Sequence, residues 1–162
     1  MKKLLSVCAA AAMLCTGASV MLADIPAAIT AFAEESCGEG LSWSLGGDGT
    51  LTVRGKGSIT SAPWQSTKEQ KNAIQKIVIE KGVTSICNDA FQDCRNLASV
   101  QIPDSVTALG SSVFMNCKVL SSVSLPDSVT SIGSRAFYNC AALKSVELPA
   151  NLKTLESYMF FE

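Results

Sequence analysis

The sequence predicts a β-rich solenoid. Three observations predict it: a 23-residue self-similarity, an apolar pair two residues apart ahead of a recurring proline, and a recurring Phe–Cys pair three apart. Four segments begin at Ile74, Leu97, Leu120 and Leu143. The first three read IQKIVIEKGVTSICNDAFQDCRN, LASVQIPDSVTALGSSVFMNCKV and LSSVSLPDSVTSIGSRAFYNCAA, and the fourth, LKSVELPANLKTLESYMFFE, runs for 20 residues.

Each element of the coil follows from its spacing. Ile77, Val100, Val123 and Val146 share one phase, and Ile79, Ile102, Leu125 and Leu148 share the phase two further on. Residues two apart point to one face of a strand, so Ser99 and Gln101 face the other way. Pro103 and Pro126 lack the amide donor a ladder needs and end these strands. Val106 and Leu109, three apart, predict a tight bend. Phe91, Phe114, Phe137 and Phe160 form an aromatic column, with Cys94, Cys117 and Cys140 three residues after the first three of them. That spacing predicts a short helical turn. No coil can bury its apolar side alone, and stacking at ~4.8 Å per strand buries it against neighbours. A period of ~20–29 residues with recurring aliphatics marks a leucine-rich-repeat solenoid. The predicted fold is a β-rich leucine-rich-repeat solenoid of short strands, bends and helical turns behind an N-terminal β-hairpin cap.

Three regions are predicted: a signal peptide over 1–33, a cap over 34–73, and a solenoid over 74–162 with repeats 74–96, 97–119, 120–142 and an incomplete 143–162. Met1-Lys2-Lys3 starts the chain and Leu4 to Ala23 carries no charge. Ala31-Phe32-Ala33 then supplies the small-residue pattern of signal cleavage. Cleavage is predicted after Ala33, with Ala23 as the second choice and a retained membrane anchor as the competing reading. No stable membrane span is expected once the signal is removed. In the cap, Leu41, Trp43 and Leu45 alternate with serines, Gly46-Gly47-Asp48-Gly49 turns, and Leu51 and Val53 alternate again. This is a hairpin signature, placed to cover the first coil. Gly55 to Gln70 reads as a loop anchored by Trp64. No cap follows the fourth coil, whose Met159-Phe160-Phe161 end predicts end-to-end self-association or membership of a longer repeat protein.

The chain has no histidine. That removes Ser-His-Asp and Cys-His arrangements and the usual catalytic zinc sites. Asp104 and Asp127 share a phase after proline and read as turn caps. Gly46 to Gly49 lacks the lysine of a phosphate loop. No enzyme, cofactor or metal is predicted. After Ala33 the chain keeps 11 basic and 13 acidic side chains, with no basic run, so nucleic acid is not an expected partner. Five cysteines follow the signal: Cys94, Cys117 and Cys140 are predicted to pack in one interior column. Cys87 stands at the phase of Gly110 and Gly133, and Cys37 in the cap, which makes Cys37–Cys87 the candidate disulfide.

What is left is surface. The outward strand positions Lys76, Val78, Ser99, Gln101, Ser122, Ser124, Ser145 and Glu147 form the candidate interaction face. Four strands make it only ~15–20 Å wide.

The units LASVQIPDSVTALGSSVFMNC and LSSVSLPDSVTSIGSRAFYNC resemble the BspA-like leucine-rich repeats, also called the Treponema pallidum type. The preceding LSWSLGGDGTLTVRGKGSITSAPW resembles the lead-in segment of such proteins in gut and oral anaerobic bacteria. The resemblance implies a secreted or cell-surface bacterial protein. Some members of that family act in adhesion to host matrix proteins, coaggregation or host interaction, and the repeat carries no catalytic residues. Departures are local: Glu80 stands for the proline, Cys87 and Glu156 for the glycine, and Met159 for the alanine. The expected function is a non-catalytic interaction module that binds an extracellular protein or glycan. The alternative is a structural or targeting repeat region of a longer extracellular protein, attached to an enzyme.

Overall fold

The computed structural model describes residues 35–161. The predicted signal peptide lies outside them. Two rows of strands run along the solenoid. The first is a sheet ordered β1 (Glu35–Gly38), β2 (Leu41–Leu45), β3 (Thr50–Gly55), β5 (Lys76–Ile79), β7 (Ser99–Gln101). Beside it continue β9 (Ser122–Ser124) and β11 (Ser145–Glu147), paired in parallel with each other. The second ladder is ordered β10 (Ser131–Ile132), β8 (Ala108–Leu109), β6 (Val83–Ile86), β4 (Gly57–Ser58).

The second ladder corrects the predicted bend. Val106 and Leu109 are both buried, but the turn lies before Val106, and Leu109 is in a strand that pairs Ile86↔Leu109 and Ile132↔Leu109. The Gly55–Gln70 segment is also more than a loop. It contributes β4, a 3-10 turn at Pro63–Gln65 and helix α1 (Lys68–Ala73), N-capped by Thr67 Oγ1, which accepts from Gln70 N at 3.1 Å.

The Phe–Cys segment is a turn closed by short-range bonds, Gln92 N to Asp89 O at 3.0 Å and Cys94 N to Phe91 O at 3.3 Å. It does not continue as a helix, because Asp89 (φ 57°) and Asp93 (φ 62°) are left-handed; Ser112, Asn116, Arg135 and Asn139 repeat this. The alternation turns its remaining amides along the solenoid axis. Asp89, Phe91 and Asp93 donate to Ser111, Val113 and Met115 of the next coil, each at 2.9 Å, and Ser112, Phe114 and Asn116 do the same one coil on.

The core is a set of columns. Phe91, Phe114 and Phe137 stack at 5.5–5.6 Å with interplanar angles of 15–16°, and Phe160 adds to Phe137 at 5.6 Å. Burying each ring stabilises the fold by ~2–3 kcal/mol, and each ring pair adds ~0.5–1.5 kcal/mol. Trp64 starts the column, stacked on Phe91 at 5.6 Å and edge-on to Trp43. Its Nε1 donates to Ala90 O at 2.6 Å, and Gln65 Nε2 donates there at 2.9 Å. These two side chains supply the donors that Val113 O finds in Phe91 N one coil on.

Hydroxyls tie the coils together. Ser105 and Ser128 Oγ donate to Val83 and Val106 O at 2.8 and 2.7 Å, while Thr107 and Thr130 donate to Thr84 and Thr107 O. The proline departure at Glu80 has a physical cause: its N–H donates to Val53 O at 2.9 Å, a bond proline cannot make.

Candidate interaction face

The eight predicted residues lie on one sheet face. Lys76 pairs with Ser99 and Val78 with Gln101, while Ser122 pairs with Ser145 and Ser124 with Glu147. All are exposed except Val78, which is half-buried. Their strand partners Ile77 and Val123 are buried, and Val100 and Val146 pack against the core from partly buried positions.

The face is broader than four strands. β3 joins it in parallel, Thr50↔Lys76 and Thr52↔Val78, and the hairpin adds Ser42 and Ser44 opposite Arg54 and Thr52. The cap therefore extends the sheet in its own plane as well as closing the core. Arg54 Nη2 reaches Ser44 Oγ at 3.4 Å, and Asp48 takes Thr50 N and Oγ1 at 3.0 and 2.9 Å. The Thr50 amide and then its hydroxyl hold the Asp48 carboxyl below the usual carboxylate range. Seven strands at ~4.8 Å span ~29 Å, and with short strands the face covers roughly 400 Å², half of the ~800 Å² per partner of a stable protein interface.

The remaining candidates fall elsewhere. Asp104 lies 3.6 Å from Lys81 on the surface, and Asp127 Oδ1 accepts from Ala150 N of the next coil at 3.4 Å. These contacts join coils instead of capping the local turn. A side-chain ladder was not anticipated: Asn116 donates to Asp93 and Asn139 donates to Asn116, each at 2.8 Å, and Lys118 closes on Asn139. The recurring Asp/Asn phase was its only signal.

The described cysteines are all free thiols. Cys94, Cys117 and Cys140 are buried in a column, and Cys117 and Cys140 Sγ donate to Phe91 and Phe114 O at 3.3 and 3.0 Å. Burial pushes Cys94 up to about 12 and Cys140 up to about 11, and raises Cys117 as well. Such thiols are neutral hydrogen-bond donors and poor ligands or nucleophiles. Among the described residues no group of three or more His, Cys, Asp or Glu side chains could hold a metal ion. No helix among them is long and apolar enough to cross a membrane.

Stacked coils, a strand on two sides and an aromatic column define a leucine-rich-repeat module. The BspA type leucine rich repeat region matches residues 68–162, and the chain belongs to that family. Solved structures to which the chain is similar include leucine-rich repeat proteins from three bacteria. That of Eubacterium ventriosum is 20% identical over 71% of this chain and 43% of its own, with a TM-score of 0.48. That of T. pallidum is 22% identical over 78% and 77%, TM-score 0.49, and that of Bacteroides ovatus 24% over 70% and 40%, TM-score 0.46. The chain thus spans less than half of the E. ventriosum and B. ovatus proteins. No curated protein matches it.

Proposed function

We propose that this protein is an interaction module outside the bacterial cell, secreted or at the cell surface, which docks an extracellular protein or glycan on its sheet face. The observation that supports this is the face itself. It is a row of parallel strand pairs whose outward side chains include four serines, Ser99, Ser122, Ser124 and Ser145, over an apolar inner side. A flat row of hydroxyls meets an extended chain with hydrogen bonds and little loss of side-chain entropy. The estimated area favours a modest affinity, raised where several such faces act together.

The experiment is capture from host-matrix and bacterial-surface extracts and from a glycan array. A triple variant, Ser99→Arg, Ser122→Arg and Ser124→Arg, is run beside the parent. Loss of a captured partner at unchanged melting temperature supports the face; binding that survives the three arginines rejects it. A second surface favours end-to-end self-association. Leu148, Leu155, Tyr158, Phe160 and Phe161, all in the fourth coil, are 41–65% exposed. Sedimentation velocity over a hundredfold concentration range tests this, and a monomer throughout rejects it. A structural or targeting role beside an enzyme in a longer protein predicts no captured partner at all.

A further inference from the structure

Cys87 is the side chain that the first coil places where the next two coils carry glycine. A Cβ built on Gly110 falls 2.5 Å from Asn88 N and 2.6 Å from the Cys87 carbonyl carbon; on Gly133 it falls 2.5 Å from Ser111 N. A side chain at this phase therefore points at the layer before it. For the second and third coils that layer is another coil, and only hydrogen fits. For the first coil it is the cap, and Cys87 fits there, half-buried and packed against the core.

Cys37 belongs to that layer. It is fully buried on β1, and its carbonyl accepts Thr60 N at 2.9 Å and Ser61 N at 3.2 Å. The strand leading into Thr60 is β4, which runs beside β6, with Ile59 N donating to Ser85 O at 2.9 Å two residues before Cys87. β1 is pressed onto β4 so closely that a Cβ on Gly38 would lie 2.2 Å from Ser58 O. One short segment thus runs between β1 and β6, and the phase of Cys87 aims its side chain at the layer that holds Cys37. Their thiols also feel one another: ionised Cys87 raises Cys37, after the larger effect of burial. Cys94, Cys117 and Cys140 belong instead to the buried column, where the last two donate to main-chain carbonyls.

We propose that Cys37 and Cys87, which stand as free thiols in this structure, join on oxidation in a disulfide that fastens the cap to the first coil. The bond forms by thiol–disulfide exchange with an external disulfide, either a small molecule or a disulfide-bonded oxidoreductase. Cys87, the more accessible, attacks one external sulfur as thiolate and releases one external thiolate. Cys37 then attacks the Cys87 sulfur of the mixed disulfide and releases the second. Two electrons pass to the external disulfide, and the two protons end on its thiols. The crosslink ties β1 directly to the residue that follows β6.

The test uses the full chain incubated with oxidised glutathione at pH 8, then unfolded in an alkylating agent. Digestion with trypsin and an Asp-specific protease, which separates Cys87 from Cys94 at Asp89, allows the linkage to be mapped. The expected product is one Cys37–Cys87 crosslink, with Cys94, Cys117 and Cys140 alkylated. Oxidation is also expected to raise the melting temperature by several degrees, and Cys87→Gly, which installs the repeat's own residue, removes that rise. Alkylation of both Cys37 and Cys87, or a crosslink from either of them to another cysteine, overturns the proposal. So does an oxidation-dependent rise that survives in Cys87→Gly.

Discussion

Replacing Gly110 by alanine tests what keeps the coils at their spacing. The new Cβ would sit 2.5 Å from Asn88 N and 2.6 Å from Asn88 Oδ1, where ordinary contact begins near 3.4 Å. Asn88 cannot swing away without loss, because its Oδ1 accepts Ser111 N at 2.8 Å. Relief requires the coils to part by about 0.9 Å, the gap between those two distances. That stretches this bond and the 2.9 Å bond from Gly110 N to Ile86 O past hydrogen-bonding range. Two lost bonds at ~1 kcal/mol each, with ~1–3 kcal/mol of overpacking, bring the cost to about 3–5 kcal/mol. For a domain of this size the melting temperature should fall by roughly 10 °C. The chain contains a parallel case. Glu156 stands at the same phase in the fourth coil, and among the described strands the second ladder ends one coil earlier, at Ser131–Ile132. Differential scanning calorimetry of Gly110→Ala beside Gly47→Ala, whose Cβ meets nothing within 4 Å, decides the matter. If both variants melt within a degree or two of the parent, close approach between coils is not why glycine stands there.

Three further outcomes follow from the columns. Phe114→Ala, inside the stack and fully buried, should cost ~3–5 kcal/mol in urea titrations, and Phe160→Ala, 47% exposed with one stacked face, less than half as much. Equal losses would show that the stack is not what matters. Trp64→Phe keeps a ring over Phe91 but deletes the bond to Ala90 O, and should cost ~1–2 kcal/mol by the same assay. An unchanged urea midpoint would mean that Gln65 alone satisfies that carbonyl. The buried thiols set an alkaline limit. Their pKa values lie above the ordinary 9.0, at about 12 for Cys94 and about 11 for Cys140. The neutral form is favoured by folding, so its contribution is complete below pH 9 and is lost as pH rises toward 11–12. The slope is about 1.4 kcal/mol per pH unit for each thiol. Urea midpoints at pH 8 and 10 should diverge, and less so in a Cys94→Ala, Cys140→Ala double variant; equal divergence would assign the effect to other groups.

The first ladder and the core were legible because their information is periodic. Val100 and Ile102 announce a strand by two-residue alternation, and the Phe and Cys columns repeat without error. The second ladder was not legible, since Ala108–Leu109 and Ser131–Ile132 are two-residue strands and two residues cannot alternate. Trp64 escaped as the first ring of the stack because it precedes Phe91 by 27 residues, outside the period. Only the chain's path through β4, the 3-10 turn and α1 brings it into line. The hydroxyl bonds of Ser105 and Thr107 were hidden for another reason: serine and threonine recur in this repeat both where they bond the coil behind and where they face solvent. For the candidate face, pattern alone selected the residues. The added breadth from Thr50, Thr52 and Ser42 depended on a parallel β3–β5 pairing that no local signal carries.

The amides of the turn segment have one more effect. In the peptide units before Asp89, Ser112 and Arg135, every N–H points toward the fourth coil and each C=O, where a coil precedes it, faces back to an amide there. Their dipoles add, as in an α-helix but with the opposite sense relative to the chain, whereas the dipoles of β-ladders largely cancel. The turn column is therefore electrically polar along the axis, while the amides of Ala98, Thr107 and Gly110 point the other way, to Gln75, Thr84 and Ile86. The column's negative pole lies at Ala90 O, beneath the cap, where Lys68, Lys71 and Arg95 line a cleft with Gln65. The positive pole lies at the fourth coil, whose carbonyls at Ser157 and Met159 accept from Arg135 and Phe137. A group that settles on the turn of that coil meets the amide end of this column, which favours oxygen acceptors.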